Sequence, residues 1–416
     1  MKIIPVSQWK ARPKESGPEK VVKEVIANVR RKGEAALKIY AKKWDGAVPK
    51  SWTVSLKECK TQWGGLDKRS KAALSLSAQQ LEKWSLACLP KKEVTLNANG
   101  VTLTQSITAL DSVACYVPGG KYPLVSSVLM NMVPAKIAGV KRRVLVTPAK
   151  NGEVDKFILA SAHLAGATEV WAVGGAQGVA AAALGAGRLK AVDKIVGPGN
   201  AYVTEAKRQL QGEVAIDMLA GPSELLVVVD ASTELRPIAI DLMAQSEHGP
   251  DSESIVVSRS LKVLTELAAI LSKEALTLYG DKESKKIISQ VRGLQARSKC
   301  ETCDIVNEIA SEHLHIAVKN PEPLLKKIRN YGTLFLGEQT PVALGDYISG
   351  ANHVLPTGRG GRYRGGLGVE DFLVRRVIQI QDAKKGKELY SKGADIAAME
   401  GLRAHEMSLR VRLSNK

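Results

Sequence analysis

Five of the six histidines in this 416-residue chain lie beyond residue 240, most of them beside polar or acidic partners. In Gln245-Ser246-Glu247-His248-Gly249, which closes a helix, Gln245 and His248 are three residues apart. That spacing puts both on one helix face, and an amide oxygen beside an imidazole nitrogen can bind one divalent metal. The same placement also suits a histidine stabilised by the dipole at a helix C-terminus. Glu312-His313 falls at a helix-to-strand junction, where an adjacent carboxylate and imidazole make a proton-transfer couple. Asp346 sits in the Gly-punctuated loop Gly345-Asp346-Tyr347-Ile348-Ser349-Gly350-Ala351-Asn352-His353 and offers a hard oxygen ligand. Glu400 and His405, five apart on the last helix, can reach different parts of one ligand or simply line a solvated face. Together these supply Gln, His, Asp and His from separate places plus a Glu-His couple, a mixed N/O set that suits Zn²⁺ with substrate in the open positions. His163, inside Ala160-Ser161-Ala162-His163-Leu164, reads as structural. Cys300-x-x-Cys303 has neither a second CxxC nor a His-x-x-x-His to complete a zinc site, so incidental thiols are expected.

Positioning such residues falls to a βα alternation that begins near Ser112. The candidate strands are Val113–Val117, Val144–Thr147, Glu169–Val173, Lys194–Val196, Glu213–Ile216 and Leu225–Val229, with helices such as 155–164 and 202–210 between them. A second series follows: Ile255–Ser258, a helix to about Leu278, Ile316–Val318 and Thr333–Leu336. This pattern predicts parallel, doubly wound sheets. Four glycine turns follow strands: Pro118-Gly119-Gly120, Gly174-Gly175-Ala176-Gln177, Gly197-Pro198-Gly199-Asn200 and Ala220-Gly221-Pro222-Ser223. Ligands of open α/β sheets bind beyond the carboxyl ends of strands, and helix N-termini there offer N–H groups to phosphates. None of the turns reads G-x-G-x-x-G, so each taken singly serves equally as strand-to-helix punctuation. Upstream, helices are expected over about 16–44 and 66–86, and Asn99-Gly100 between Val94-Thr95-Leu96 and Val101-Thr102-Leu103 predicts a hairpin. The tail after Val369 reads as mostly helical, and no sequence repeat stands out.

Composition narrows the class. Hydrophobic residues are 44% and charged residues 25%, as in ordinary globular proteins. The net charge of +18 is spread along the chain without a Lys/Arg block, and only three Phe are present, so neither a nucleic-acid partner nor a membrane partner is expected. Five scattered cysteines argue against a disulfide framework, and the first residues lack a signal-peptide core; a cytoplasmic protein is the expectation.

Several motifs, in their joint order and spacing, resemble the histidinol dehydrogenase family over nearly the whole chain: Tyr116-Val117-Pro118-Gly119-Gly120, Gly174-Gly175-Ala176-Gln177, Gly197-Pro198-Gly199-Asn200-Ala201-Tyr202-Val203, Ala220-Gly221-Pro222-Ser223-Glu224, Gln245 to Gly249, Glu312-His313-Leu314, Gly345 to Thr357, and Glu400-Gly401-Leu402 with His405. The resemblance implies an NAD-dependent, zinc-dependent enzyme that oxidises L-histidinol through L-histidinaldehyde to L-histidine, the last step of histidine biosynthesis. It implies one Zn²⁺ per subunit on Gln245, His248, Asp346 and His405. It makes Glu312 and His313 the catalytic couple and matches Tyr116, Gln177 and Asn200 to NAD contacts. The substrate would be met by Ser223, Gln245, His248, His313, Asp346, His353, Glu400 and His405.

The implied fold is two incomplete Rossmann-like domains with small terminal helical segments in an intertwined homodimer whose subunits share active sites. The expected division is 1–15 as an N-terminal segment, 16–114 with 223–367 as the metal and catalytic domain, 115–222 as the NAD domain, and 368–416 as a helical dimerisation segment. Gly119-Gly120-Lys121-Tyr122-Pro123-Leu124 looks more like relatives that oxidise a sulfonated propanediol, and His315 stands where the family usually carries an acidic or polar residue. A dehydrogenase of another small diol on the same scaffold is therefore the competing expectation.

Overall fold

Runs such as Leu225-Leu226-Val227-Val228-Val229 are apolar on both faces, the signature of a parallel strand covered on both sides. In the computed structural model, which describes residues 1–9, 17–119, 122–382 and 385–413, these runs build two six-stranded sheets. Sheet one takes the order Lys2–Pro5, Val291–Gln295, Glu253–Ser258, Glu224–Val229, His313–Ala317, Thr333–Leu336, parallel throughout. Sheet two takes the order Thr53–Val54, Glu169–Ala172, Arg142–Thr147, Ser112–Tyr116, Lys194–Val196, Ala215–Ile216, parallel except for the antiparallel edge strand Thr53–Val54. Each sheet has a core on either face. Val113 and Cys115 point to one side of sheet two while Ala114 and Tyr116 point to the other, and Leu225 and Val227 oppose Leu226 and Val228 in sheet one.

Five strands of each sheet wind in the same order. Apart from the edge strands Lys2–Pro5 and Thr53–Val54, which come earlier in the chain, each sheet starts in a central strand, steps two strands one way, then crosses back to add two on the other side. No repeat is visible in the sequence, because burial between helices constrains apolar character rather than residue identity. Both units reverse direction beside their first strand, which creates one topological switch point per sheet.

Packing differs from the expected division of the chain in three places. Strand Lys2–Pro5 extends sheet one instead of forming a separate segment, and residues 10–15 lie outside the described residues. Helices Glu19–Lys32 and Glu34–Tyr40 bury Val22, Val25, Val29 and Leu37 in the core that holds Trp171 and Val179. Much of 16–114 therefore joins sheet two, since an apolar helix stripe must cover a sheet face.

The tail is the third difference. Leu373–Gln381 is a strand, pairing with Val101–Ala109, which in turn pairs with Glu93–Ala98. Its Leu, Val and Ile residues favour a pleated partner over a helix. The turn of the predicted hairpin has φ of 52° at Asn99 and 78° at Gly100, as a type I′ turn requires. Helices Lys387–Met399 and Arg403–Arg410 follow. Among the described residues, no helix is long and apolar enough to cross a membrane.

Candidate active site

The polar residues gather at the amino edge of sheet one. Glu312 and His313 precede and open strand His313–Ala317, and Ser223 and Glu224 do the same for the neighbouring strand Glu224–Val229. One Glu312 oxygen accepts from the Ser223 hydroxyl at 2.6 Å and from the Glu224 amide at 3.0 Å. Because Ser223 donates to Glu312, it must accept from Gln245, whose Nε2 lies 2.9 Å away. That contact fixes the buried Gln245 amide with its oxygen free for a cation.

His313 is buried, with Nδ1 3.2 Å from the Glu224 carbonyl. A carbonyl only accepts, so Nδ1 keeps its proton and Nε2 is the nitrogen that gains or loses one. Nε2 has no hydrogen-bond partner; the nearest carboxylate oxygen is Asp346 Oδ1 at 3.6 Å. Burial lowers the imidazole pKa, but the Glu312 charge, 3.5 Å from Nδ1, and then Asp346 outweigh it and push His313 up to about 9. Burial also opposes the charge of Asp346, yet His313, with His353 and His248, outweighs it and holds that carboxylate below its ordinary range.

Asp346 lies on the short helix Val342–Tyr347. Its backbone oxygen takes the Nδ1 proton of His353 at 2.8 Å, and His353 Nε2 meets the Ser127 hydroxyl at 3.2 Å. Ser127 stands in helix Val125–Ala138, which follows the first strand of sheet two. The Gly221 amide, just before sheet one, donates to the Thr357 hydroxyl. The loop 349–358 thus ties the amino edge of sheet one to the carboxyl edge of sheet two.

That carboxyl edge carries the glycine turns. Gly197 has φ of 108°, and a Cβ there would lie 2.2 Å from the Tyr116 carbonyl oxygen, so only glycine lets the two strand ends approach. A buried ion pair, Lys207 with Asp217, grips this turn: Gly197 donates to Asp217 at 2.6 Å and accepts from Lys207 at 3.0 Å. Tyr116 is buried, and its hydroxyl accepts from the Gly175 amide at 2.9 Å; burial pushes its pKa up to about 12. Gln177 is buried with its Oε1 unpartnered. Asn200 caps helix Ala201–Leu210, accepting from Tyr202 and Val203 at 3.1 and 3.2 Å.

The structure therefore brings together Ser223, Gln245, His248, Glu312, His313, Asp346 and His353, and sets Tyr116, Gln177 and Asn200 under the turns of sheet two. Glu400 and His405 do not share one helix: Glu400 caps the end of Lys387–Met399 and His405 lies on Arg403–Arg410; both are exposed and share no hydrogen bond or ion pair with the others among the described residues. Nor do the described residues form a group of three or more His, Cys, Asp or Glu able to hold a metal. Gly120 and Lys121 lie outside the described residues.

The roles of Ser223 as relay, of Ser127 and of Glu224 were not legible from spacing. Glu224 is pushed up to about 7, mainly by burial; a carboxylate opening an otherwise apolar strand was the one available signal. His315 lies 3.7 Å from Asp241, with its Nε2 donating to the Gly337 carbonyl at 3.0 Å.

Two like-wound α/β units closing on a buried His, two carboxylates and an amide define a two-unit enzyme scaffold. The model of the histidinol dehydrogenase family matches residues 10–413, and the chain belongs to that family. Histidinol dehydrogenase of Agrobacterium fabrum is 40% identical, covering 94% of this chain and 92% of that protein. Histidinol dehydrogenase 1 of a Nostoc species is 41% identical over 94% of this chain and 91% of its own length. The crystal structure of histidinol dehydrogenase from Elizabethkingia anophelis superposes with a TM-score of 0.93 at 32% identity, covering 99% of this chain and 98% of that one.

Proposed function

We propose that this chain is a cytoplasmic, NAD-dependent and zinc-dependent histidinol dehydrogenase, with 115–222 as its NAD domain and the neighbouring 223–367 as its metal and catalytic domain. The observation that carries the reading is His313 Nε2: buried, unpartnered, and the one ring nitrogen free to exchange a proton, because the Glu224 carbonyl holds the proton on Nδ1. The donor set suits a zinc ion, because Gln245 has its amide oxygen free and Asp346 is an ionised carboxylate within the electrostatic reach of His248. Gln245, His248 and Asp346 would hold it, with His405 as the fourth ligand. When bound, NAD supplies the hydride acceptor and zinc a Lewis-acid anchor for the substrate nitrogens.

His313 Nε2 takes the hydroxyl proton of the alcohol as the first hydride leaves carbon, giving the aldehyde. Glu312 then takes a proton from water as its oxygen attacks the aldehyde carbon. The aldehyde oxygen takes back the proton held on His313 Nε2, giving the hydrate. A hydrate hydroxyl then returns a proton to His313 as the second hydride leaves carbon, giving the carboxylic acid, and His313 and Glu312 release their protons to solvent. Ser223 keeps the Glu312 carboxylate aligned meanwhile, and His353 and Glu400 are assigned to the substrate.

Val377, Ile378, Ile380 and Met399 on the tail are apolar and exposed, which supports a homodimer in which Glu400 and His405 complete the neighbour's site. Mixing His405→Ala and His313→Ala chains under subunit exchange tests this: recovery of activity supports shared sites, and none with exchange verified by mass refutes them. The substrate is tested by NADH formation from L-histidinol and from a sulfonated propanediol, before and after chelation and zinc return. Turnover of L-histidinol that chelation abolishes and zinc restores is expected; turnover of the sulfonated diol alone would replace the substrate, and full activity without metal would remove the zinc.

A further inference from the structure

Sheet one turns its amino edge to the active site, so its own carboxyl edge faces away. There, at the switch point between Glu224–Val229 and His313–Ala317, lies a cavity of about 130 Å³. Val228, Val229 and Asp230 line it from the first strand end, Ser258 and Arg259 from the next, and Val318 and Asn320 beyond His313–Ala317. Its floor is built, since Val228, Val229, Ser258, Thr302 and Leu324 are all buried. In the twin unit, the equivalent position carries the turns at Tyr116–Gly119 and Gly197–Asn200 assigned above to the cofactor.

Two cations face this cavity, Arg259 and Lys299. Neither forms an ion pair or a side-chain hydrogen bond among the described residues, so the guanidinium and the ammonium are both open to a ligand. The Asn320 amide is likewise uncommitted. The one carboxylate in the lining, Asp230, is engaged in its own turn, where one oxygen accepts from the Ser232 amide and hydroxyl.

Size and backbone limit what can enter. Pockets for drug-sized ligands run to about 300–1,000 Å³, so a cavity of 130 Å³ takes a small ion. The strand ends here read Val229-Asp230-Ala231, Ser258-Arg259-Ser260 and Val318-Lys319-Asn320, with no glycine to let a pyrophosphate approach the chain. We propose that this cavity is a second ligand site, separate from the active site, that binds a small phosphate-class oxyanion through Arg259, Lys299 and Asn320. A guanidinium fork and an ammonium are the groups that recognise such an anion by charge-assisted hydrogen bonds.

The test is calorimetric titration of inorganic phosphate into the full-length protein, with NADH at saturation to occupy the carboxyl edge of sheet two. One saturable site per chain is expected. Arg259→Gln with Lys299→Gln should weaken it by at least about tenfold, leaving the melting temperature and the rate of NADH formation in phosphate-free buffer unchanged. Asp230→Asn, which removes the opposing charge, should tighten it. Sulfate should compete, being of the same size and charge class. No saturable binding up to about 10 mM phosphate, or binding equally tight in the double variant, overturns the proposal. Because phosphate binding and melting are read without substrate turnover, failure of the histidinol reading leaves this test intact.

Discussion

Sheets one and two share a winding order but face the site with opposite edges. Sheet two offers its carboxyl edge, where glycines at 174, 175, 197 and 199 bring backbone close and side chains are few. Sheet one offers its amino edge, where Ser223, Glu224, Glu312 and His313 crowd the first residues of two adjacent strands. The carboxyl edge is suited to holding a ligand by main chain, the amino edge to moving protons between side chains. A duplicated topology thus divides binding from chemistry by orientation, with one loop, 349–358, joining the halves.

If that division holds, damage to sheet one should strike the rate, and damage to sheet two the affinity for NAD. His313→Asn should lower kcat by about 10²–10⁴-fold while leaving the Kd for NAD unchanged. Glu312→Gln should spare alcohol oxidation more than aldehyde oxidation, as read by rates on L-histidinol and L-histidinaldehyde; equal losses on both would erase the separate roles. On sheet two, Lys207→Met leaves Asp217 buried and unpaired beside Gly197. It should cost about 3–5 kcal/mol in denaturant unfolding and raise the KM for NAD, with kcat largely kept at saturation. A fall in kcat alone would blur the division.

Smaller effects sharpen it. Asn200→Ala removes a helix cap worth about 1 kcal/mol, whereas Asn200→Ser keeps the cap and loses the amide. Weaker NAD binding in both variants, with stability lost only in the first, would assign the amide to the cofactor; unchanged NAD binding in Asn200→Ser would leave Asn200 a cap alone. Last, Glu224 titrates near 4.5 when unfolded and about 7 when folded. Between those values the folded chain keeps a proton that the unfolded chain releases, so stability falls as pH rises through this window. Glu224→Gln should flatten that slope in melting temperatures taken from pH 4.5 to 7; an unchanged slope would mean that burial does not hold this proton.

Much of this was readable from residues. Strands such as Leu225–Val229 declared themselves by apolar runs, and the hairpin by the turn chemistry of Asn99-Gly100. Gln245, His248, Glu312, His313 and Asp346 were selected by donor type before any geometry. What stayed hidden depends on tertiary partners. Val291–Gln295 has only two buried large apolar residues, Val291 and Leu294, and becomes a strand because Glu253–Ser258 and Lys2–Pro5 pair with it. Leu373–Gln381 was read as helix because its pairing strand lies some 270 residues upstream. The Gln245–Ser223–Glu312 relay joins three separate elements, and no spacing rule links them. The shared winding of the two sheets is a property of connections, which sequence similarity need not preserve.

The central claim is that one site removes two hydrides from one substrate, with Glu312 serving the second. It is tested most directly by NADH stoichiometry, with L-histidinol limiting and NAD in excess. The account predicts two NADH and one L-histidine per L-histidinol consumed, with aldehyde accumulating in Glu312→Gln. A single NADH with the aldehyde as end product of the unaltered enzyme, or no NADH at all, would contradict it.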